Sequence, residues 1–132
     1  MAVAFPISSA AGCKALVVDD EPHIVDLVKA TLEEEGYEVD GAATAAQALD
    51  LIRKGSYDFM VLDIMLPDMD GIMAHERIRA IDPQLAGRTI FTSGWVKSPE
   101  IREYLVSIGS FLPKPFSVDE LVRIARTLSS DN

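Results

Sequence analysis

At 132 residues, 48% hydrophobic and 25% charged, the chain has the length of one domain and the balance of an ordinary globular protein, which excludes disordered, collagenous and low-complexity classes. Its single cysteine, Cys13, excludes a disulfide framework and a cysteine-ligated zinc site. Twelve basic against twenty-one acidic residues leave a net charge of −9, without the basic face that grips nucleic acid, and the apolar runs are too short for a membrane span.

The first thirteen residues, MAVAFPISSAAGC, are small and apolar, and the first basic residue is Lys14. A signal peptide opens on a basic segment. Residues 1–13 therefore read as a flexible lead-in, 14–129 as one domain and 130–132 as a tail, with a cytoplasmic location expected by default. From Lys14 onward two patterns alternate. Short apolar runs at 15–18, 37–39, 59–62, 89–92 and 110–112 are too short for helices, and most carry β-branched or aromatic residues. Between them apolar residues recur at helical spacing: Ile24, Leu27, Val28 and Leu32; Ala45, Ala48, Leu49 and Ile52; a less regular stretch at about 72–81; Ile101, Leu105 and Ile108; then Val118, Leu121, Val122, Ala125 and Leu128. Pro22 suits a first helical position and Gly36 a helix stop. Thr44 with Gln47, and Ser117 with Glu120, have capping-box spacing, and Ser98-Pro99 opens the fourth helix in similar style.

Five strands in strict alternation with five helices must pair in parallel through right-handed crossovers. The first, third and fourth runs lack polar–apolar alternation, as expected of strands covered on both faces, whereas the second alternates and reads as an edge. The expected fold is an open, doubly wound α/β sheet. Five units are too few for an eight-stranded barrel.

Ligands of such sheets bind beyond the carboxyl ends of the strands. Strand one ends in Asp19-Asp20-Glu21, strand three in Asp63, strand four in Ser93-Gly94 and strand five in Lys114-Pro115. Three carboxylates, one hydroxyl and one lysine therefore converge. Repulsion among Asp19, Asp20 and Asp63 calls for a cation, and oxygen ligands without His or Cys point to a hard ion such as Mg²⁺. Asp63 is the candidate nucleophile, able to form an acyl phosphate, with Lys114 supplying opposite charge and Ser93 a donor. Asp68 and Asp70 read as shaping the turn from Pro67 to Gly71. His23 and His75 read as surface or partly buried histidines, and Cys13 as inert.

Val17-Val18-Asp19-Asp20-Glu21-Pro22, Leu62-Asp63 through Asp70-Gly71, Thr92-Ser93-Gly94 and Lys114-Pro115-Phe116 together resemble a response-regulator receiver domain over residues 14–128. The resemblance implies a flavodoxin-like (βα)5 fold with strand order 2-1-3-4-5. It implies that Asp63 accepts phosphate from a histidine kinase or a histidine phosphotransfer protein. Asp20, Asp63 and the Met65 backbone carbonyl would ligate Mg²⁺, with Asp19 acting through water. Lys114 would bind phosphate and precede a cis peptide. Ser93 and Phe111 would be the switch hydroxyl and switch aromatic, and an output partner or attached domain would meet the face of the fourth helix, fifth strand and fifth helix.

Some features depart from the pattern. Met65 and Trp95, two residues after Asp63 and Ser93, are apolar where the family tunes the lifetime of its phosphorylated state, and should hinder an attacking water. Pro113 is an extra stiffener. The segments at 92–95 and 111–116 look more like receivers attached to hybrid sensor kinases. Two other functions compete: a Mg²⁺-dependent phosphohydrolase using Asp63, which would want a second acid where Met65 stands, and a pseudo-receiver that takes no phosphate, which would usually lack one of Asp20, Asp63 or Lys114.

Overall fold

The structure, a computed structural model, describes residues 12–94 and 98–129. Five strands, β1 (Lys14–Val18), β2 (Glu38–Ala42), β3 (Phe59–Asp63), β4 (Thr89–Ser93) and β5 (Ser110–Pro113), form one parallel sheet in the order β2-β1-β3-β4-β5. Five helices connect and cover them: α1 (Pro22–Glu34), α2 (Ala45–Lys54), α3 (Gly71–Ile81), α4 (Pro99–Ile108) and α5 (Val118–Ser129). The doubly wound sheet and its strand order are those expected.

Strand period places the core. Leu16 and Val18 of β1 point into one layer with Leu49, Ile52, Ile78 and Leu105, which α2, α3 and α4 supply. Ala15 and Val17 point into the other, with Val28 and Leu32 of α1 and Leu121 and Ala125 of α5. All five residues of β3 and of β4 are buried, which accounts for the lack of exposed–buried alternation along them, although β4 carries the hydroxyls of Thr89, Thr92 and Ser93. β2 lies at the edge as expected, and exposure alternates from Tyr37 to Asp40 before the pattern breaks at Gly41 and Ala42.

Local chemistry starts and stops the helices. Pro22 opens α1, and Gly36, at φ 102°, follows it in a conformation that side chains disfavour. Thr44 Oγ1 accepts from Gln47 N–H at 3.1 Å, while the Gln47 side chain reaches back to Ala43 N–H at 2.8 Å. Ser117 Oγ accepts from Asp119 and Glu120 N–H, and Ser98 Oγ from Ile101 N–H.

The structure corrects four details. β2 runs to Ala42 rather than ending at Val39, because each residue from Lys14 to Val18 has a partner there and pairing overrides the low strand propensity of Asp40 and Gly41. A single helical turn, Pro83–Ala86, precedes β4; Asp82 caps it and Leu85 and Ala86 are buried beneath it. His75 is fully buried rather than at the surface or partly buried: α3 turns it inward against the Phe91 ring, and its Nε2 lies 2.8 Å from Ala86 O. Asp70 does cap α3 through Ile72 N–H, but the Asp68 side chain reaches out of the turn and caps α2.

Candidate functional site

At the carboxyl ends of β1 and β3 the backbone passes from ladder to turn. Asp19 N–H still pairs with Ala42 O, and Asp19 Oδ1 then accepts from Glu21 N–H at 2.9 Å, turning the chain into α1. Asp63 is the last residue of β3, and its Oδ1 accepts from Met65 N–H at 2.9 Å. Gly71 permits this geometry, since a β-carbon there would strike Ile64 Cα and the Asp63 carbonyl. Ser93 ends β4, and its carbonyl accepts from Lys114 N–H at 2.8 Å, which anchors the lysine beside it. The Lys114–Pro115 peptide is cis, as the resemblance implies.

These ends bring the charges together. Lys114 Nζ lies 3.0 Å from Asp63 Oδ2, 2.7 Å from Asp19 Oδ2 and 3.5 Å from Glu21 Oε2. Asp19 and Asp63 are only 2% and 4% exposed, whereas Asp20 is open to solvent. One oxygen from each of the three aspartates lies within 4.8 Å of the others. Burial pushes the Asp63 carboxyl above its ordinary range; the Met65 amide and Lys114 oppose the rise, and the charge of Asp19 adds to it. Burial works against the Lys114 charge too, but contacts with Asp19 and Asp63 outweigh it and hold the proton above the usual lysine range.

The arrangement suits a hard divalent cation. The donors are all oxygens. Asp19 Oδ2 is buried, and Lys114 Nζ, 2.7 Å away, is its partner among the described residues, so the lysine alone offsets its charge. Asp20 leaves the cluster open to a hydrated ion. A recess of about 280 Å³ adjoins it, lined by Asp19, Asp20, Pro22, Val25 and Gly41 among others. A larger groove of about 500 Å³ between α1 and α5 has no comparable chemistry: its Arg126 pairs with Glu35, and its Arg123 with Glu120 beside it.

Asp19, Asp20, Asp63, Ser93 and Lys114 thus lie at or just beyond the carboxyl ends of their strands. Phe111 lies half-buried in β5, with the Arg102 guanidinium 5.6 Å from its ring centroid, and Trp95 falls outside the described residues. Sequence reasoning gave no role to the Glu21 side chain, although the run Asp19-Asp20-Glu21 placed it at the same strand end.

The model of the response regulator receiver domain matches residues 15–126. The chain belongs to this family. As a receiver domain it is a phosphoacceptor module of two-component signalling. It is 36% identical over 110 residues to sporulation initiation phosphotransferase F of Bacillus subtilis, covering 82% of this chain and 86% of that one. It is 35% identical over 119 residues to the transcriptional regulatory protein TrcR of Mycobacterium tuberculosis, covering 87% of this chain and 44% of that protein. The receiver domain spans about half the length of several curated relatives that it matches. The response regulator TrrA of Thermotoga maritima, solved in complex with Mg²⁺ and BeF, superposes with a TM-score of 0.76 at 32% identity, covering 88% of this chain and 98% of that one. No helix among the described residues is long and apolar enough to cross a membrane.

Proposed function

We propose that Asp63 is the phosphoacceptor and that it takes its phosphoryl group from a phosphohistidine on a histidine kinase or histidine phosphotransfer protein. The observation that carries this reading is Lys114 Nζ, held between Asp63 at 3.0 Å and Asp19 at 2.7 Å. A carboxylate oxygen of Asp63 attacks phosphorus, the P–N bond to the donor imidazole breaks, and the imidazole leaves with the electron pair and picks up a proton. Met65 N–H and Lys114 hold the two oxygens of Asp63 and fix the plane of the nucleophile. Lys114 also meets charge on the phosphoryl oxygens.

Asp20, Asp63 and the Met65 carbonyl would hold Mg²⁺, with Asp19 acting through water. The ion supplies charge neutralisation and orientation of the phosphoryl oxygens. The oxygen-only cluster and the Mg²⁺ complex of TrrA support this assignment.

Ser93 and Phe111 form the switch in this reading. A phosphorylated Asp63 carries new acceptor oxygens. Lys114 pairs with one and the Ser93 hydroxyl donates to another, biasing the chain after β4 and the Phe111 ring between two states. The output face is α4, β5 and α5, where a groove of about 330 Å³ runs along Phe111, Val106, Ile124 and Leu128. The domain works in the cytoplasm over residues 14–129 and assists both its own phosphorylation and its dephosphorylation. Met65, 62% exposed beside Asp63, offers water no polar guide and should slow the latter.

Intact-mass measurement after incubation with a small phosphodonor and Mg²⁺ tests the reading. The expected result is one stable phosphoryl adduct on the wild type and none on Asp63→Asn, with the fold retained. Turnover of organic phosphates without an adduct would favour a phosphohydrolase, and inertness in both assays a pseudo-receiver.

A further inference from the structure

The chain from Asp63 to Gly71 is a loop closed at its base. Gly71 N–H donates to Ile64 O at 2.8 Å, Met65 and Asp70 form an antiparallel bridge, and Met65 N–H holds Asp63 Oδ1. The tip of the loop, residues 66–69, reaches another element through Asp68. Its Oδ1 accepts from Ala45 N–H and its Oδ2 from Ala46 N–H, both at 3.0 Å.

The first amides of a helix have no partner within it. In α2, Thr44 serves Gln47 N–H, and Asp68 serves the two amides before it from a distant part of the sequence. The carboxylate lies at the positive end of the helix dipole. The two amides hold its carboxyl below the usual carboxylate range. α2 is a firm anchor, because Ala45, Ala48, Leu49 and Ile52 are buried against the sheet. The Met65 side chain, by contrast, is exposed and gives its own backbone little packing support. The direction of that peptide therefore depends on how the loop is tied.

We propose that Asp68 is a positioning residue for phosphoryl transfer: by pinning the loop tip to α2 it fixes the Met65 backbone, whose N–H holds Asp63 and whose carbonyl would be a ligand of Mg²⁺. The inference rests on the reading of Asp63 and its metal site given above. Loss of Asp68 leaves every group of the site present and loosens one of them. The effect falls on metal affinity, and saturating Mg²⁺ restores phosphorylation.

The test compares the full chain as wild type, Asp68→Asn and Asp68→Ala. It measures the Mg²⁺ Kd by calorimetry, the thermal midpoint, and amide exchange at Met65 without metal. Asp68→Ala should raise the Kd roughly tenfold, as loss of an outer support of a metal site does. Exchange at Met65 should quicken, and phosphate uptake should approach the wild-type rate at high Mg²⁺. Asp68→Asn keeps one carbonyl acceptor and should fall between; it carries the test if Asp68→Ala fails to fold. A lowered midpoint with unchanged Kd and unchanged Met65 exchange would show that Asp68 is a helix cap only, and would overturn the inference alone. A wild type that neither binds Mg²⁺ nor takes phosphate overturns the site reading, and the inference with it.

Discussion

The two ends of the sheet hold similar groups and treat them oppositely. Towards the amino ends of the strands, Asp40 Oδ2 accepts from Tyr57 O–H at 2.7 Å and lies 3.3 Å from Lys14 Nζ, while Lys14 N–H donates to Asp58 at 2.8 Å. The Tyr57 hydrogen bond, aided by Lys14, holds the Asp40 carboxyl below its usual range, and burial, then the hydrogen bond to Asp40 and the charge of Asp40, push the Tyr57 phenol up. At the carboxyl ends one lysine faces Asp19, Asp63 and Glu21, and burial drives the Asp63 carboxyl up instead. One end satisfies its charge and gains stability. The other keeps an excess of negative charge that only a cation or a new ligand can balance, as a site poised for chemistry requires.

Removing the cation from the crowded end is the severest way to break that contrast. Lys114→Ala leaves two buried carboxylates uncompensated and should cost about 3–5 kcal/mol near neutral pH. A carboxyl whose folded pKa is raised stabilises the fold below its unfolded pKa, roughly 3.9, and that contribution is lost as pH rises through the folded pKa. Without Lys114 the Asp63 carboxyl rises further. The gap between variant and wild type in urea unfolding should therefore narrow on acidification; an unchanged gap would mean that Lys114 acts by packing rather than by charge.

Adding a cation sharpens the contrast from the other side. Mg²⁺ at a hundredfold excess over its Kd should stabilise the fold by about 2.7 kcal/mol. A melting temperature indifferent to Mg²⁺ would count against the metal assignment.

The satisfied end should respond less, and without regard to Mg²⁺. Tyr57→Phe removes a hydrogen bond to a charged acceptor, but Asp40 is partly open to water, so the loss should be about 1 kcal/mol. The raised phenol contributes stability below the ordinary tyrosine pKa of roughly 10, and that contribution fades as pH climbs towards the folded value. The depressed Asp40 carboxyl contributes above its unfolded pKa and loses that contribution as pH falls through the folded one. Tyr57→Phe should flatten the alkaline limb and weaken the acid one, and a variant with both limbs of the wild-type curve would refute the pairing. Smallest of all, Arg123→Ala breaks the exposed pair with Glu120 and should stay within about 0.5 kcal/mol, which calibrates both ends.

Much of this was legible in the sequence because it depends on period and punctuation. Buried segments such as 59–62 read as unbroken apolar runs, and acids directly after them mark one edge of a parallel sheet. What escaped depends on distance in space. Asp68 looks like a turn residue, and nothing local says that α2 lies within its reach. His75 carries a polar ring onto the inner face of α3, where Phe91 and the Ala86 carbonyl accept it. The full length of β2 follows from its neighbour: Asp40 and Gly41 are poor strand formers that β1 recruits by pairing. The turn at Pro83–Ala86 had its signals in Asp82 and Pro83, but Leu85 and Ala86 alone make too short an apolar pattern to register a period.

The two margins of the sheet bear on how this domain keeps its own company. An open strand is a template on which another chain can hydrogen-bond and polymerise. β2 meets such a visitor with the exposed carboxylate of Glu38 and a side-chain-free Gly41. β5, on the far side, ends in Pro113, which has no amide to offer. Crowded among many sister domains, the molecule therefore discourages strand-to-strand addition at both margins.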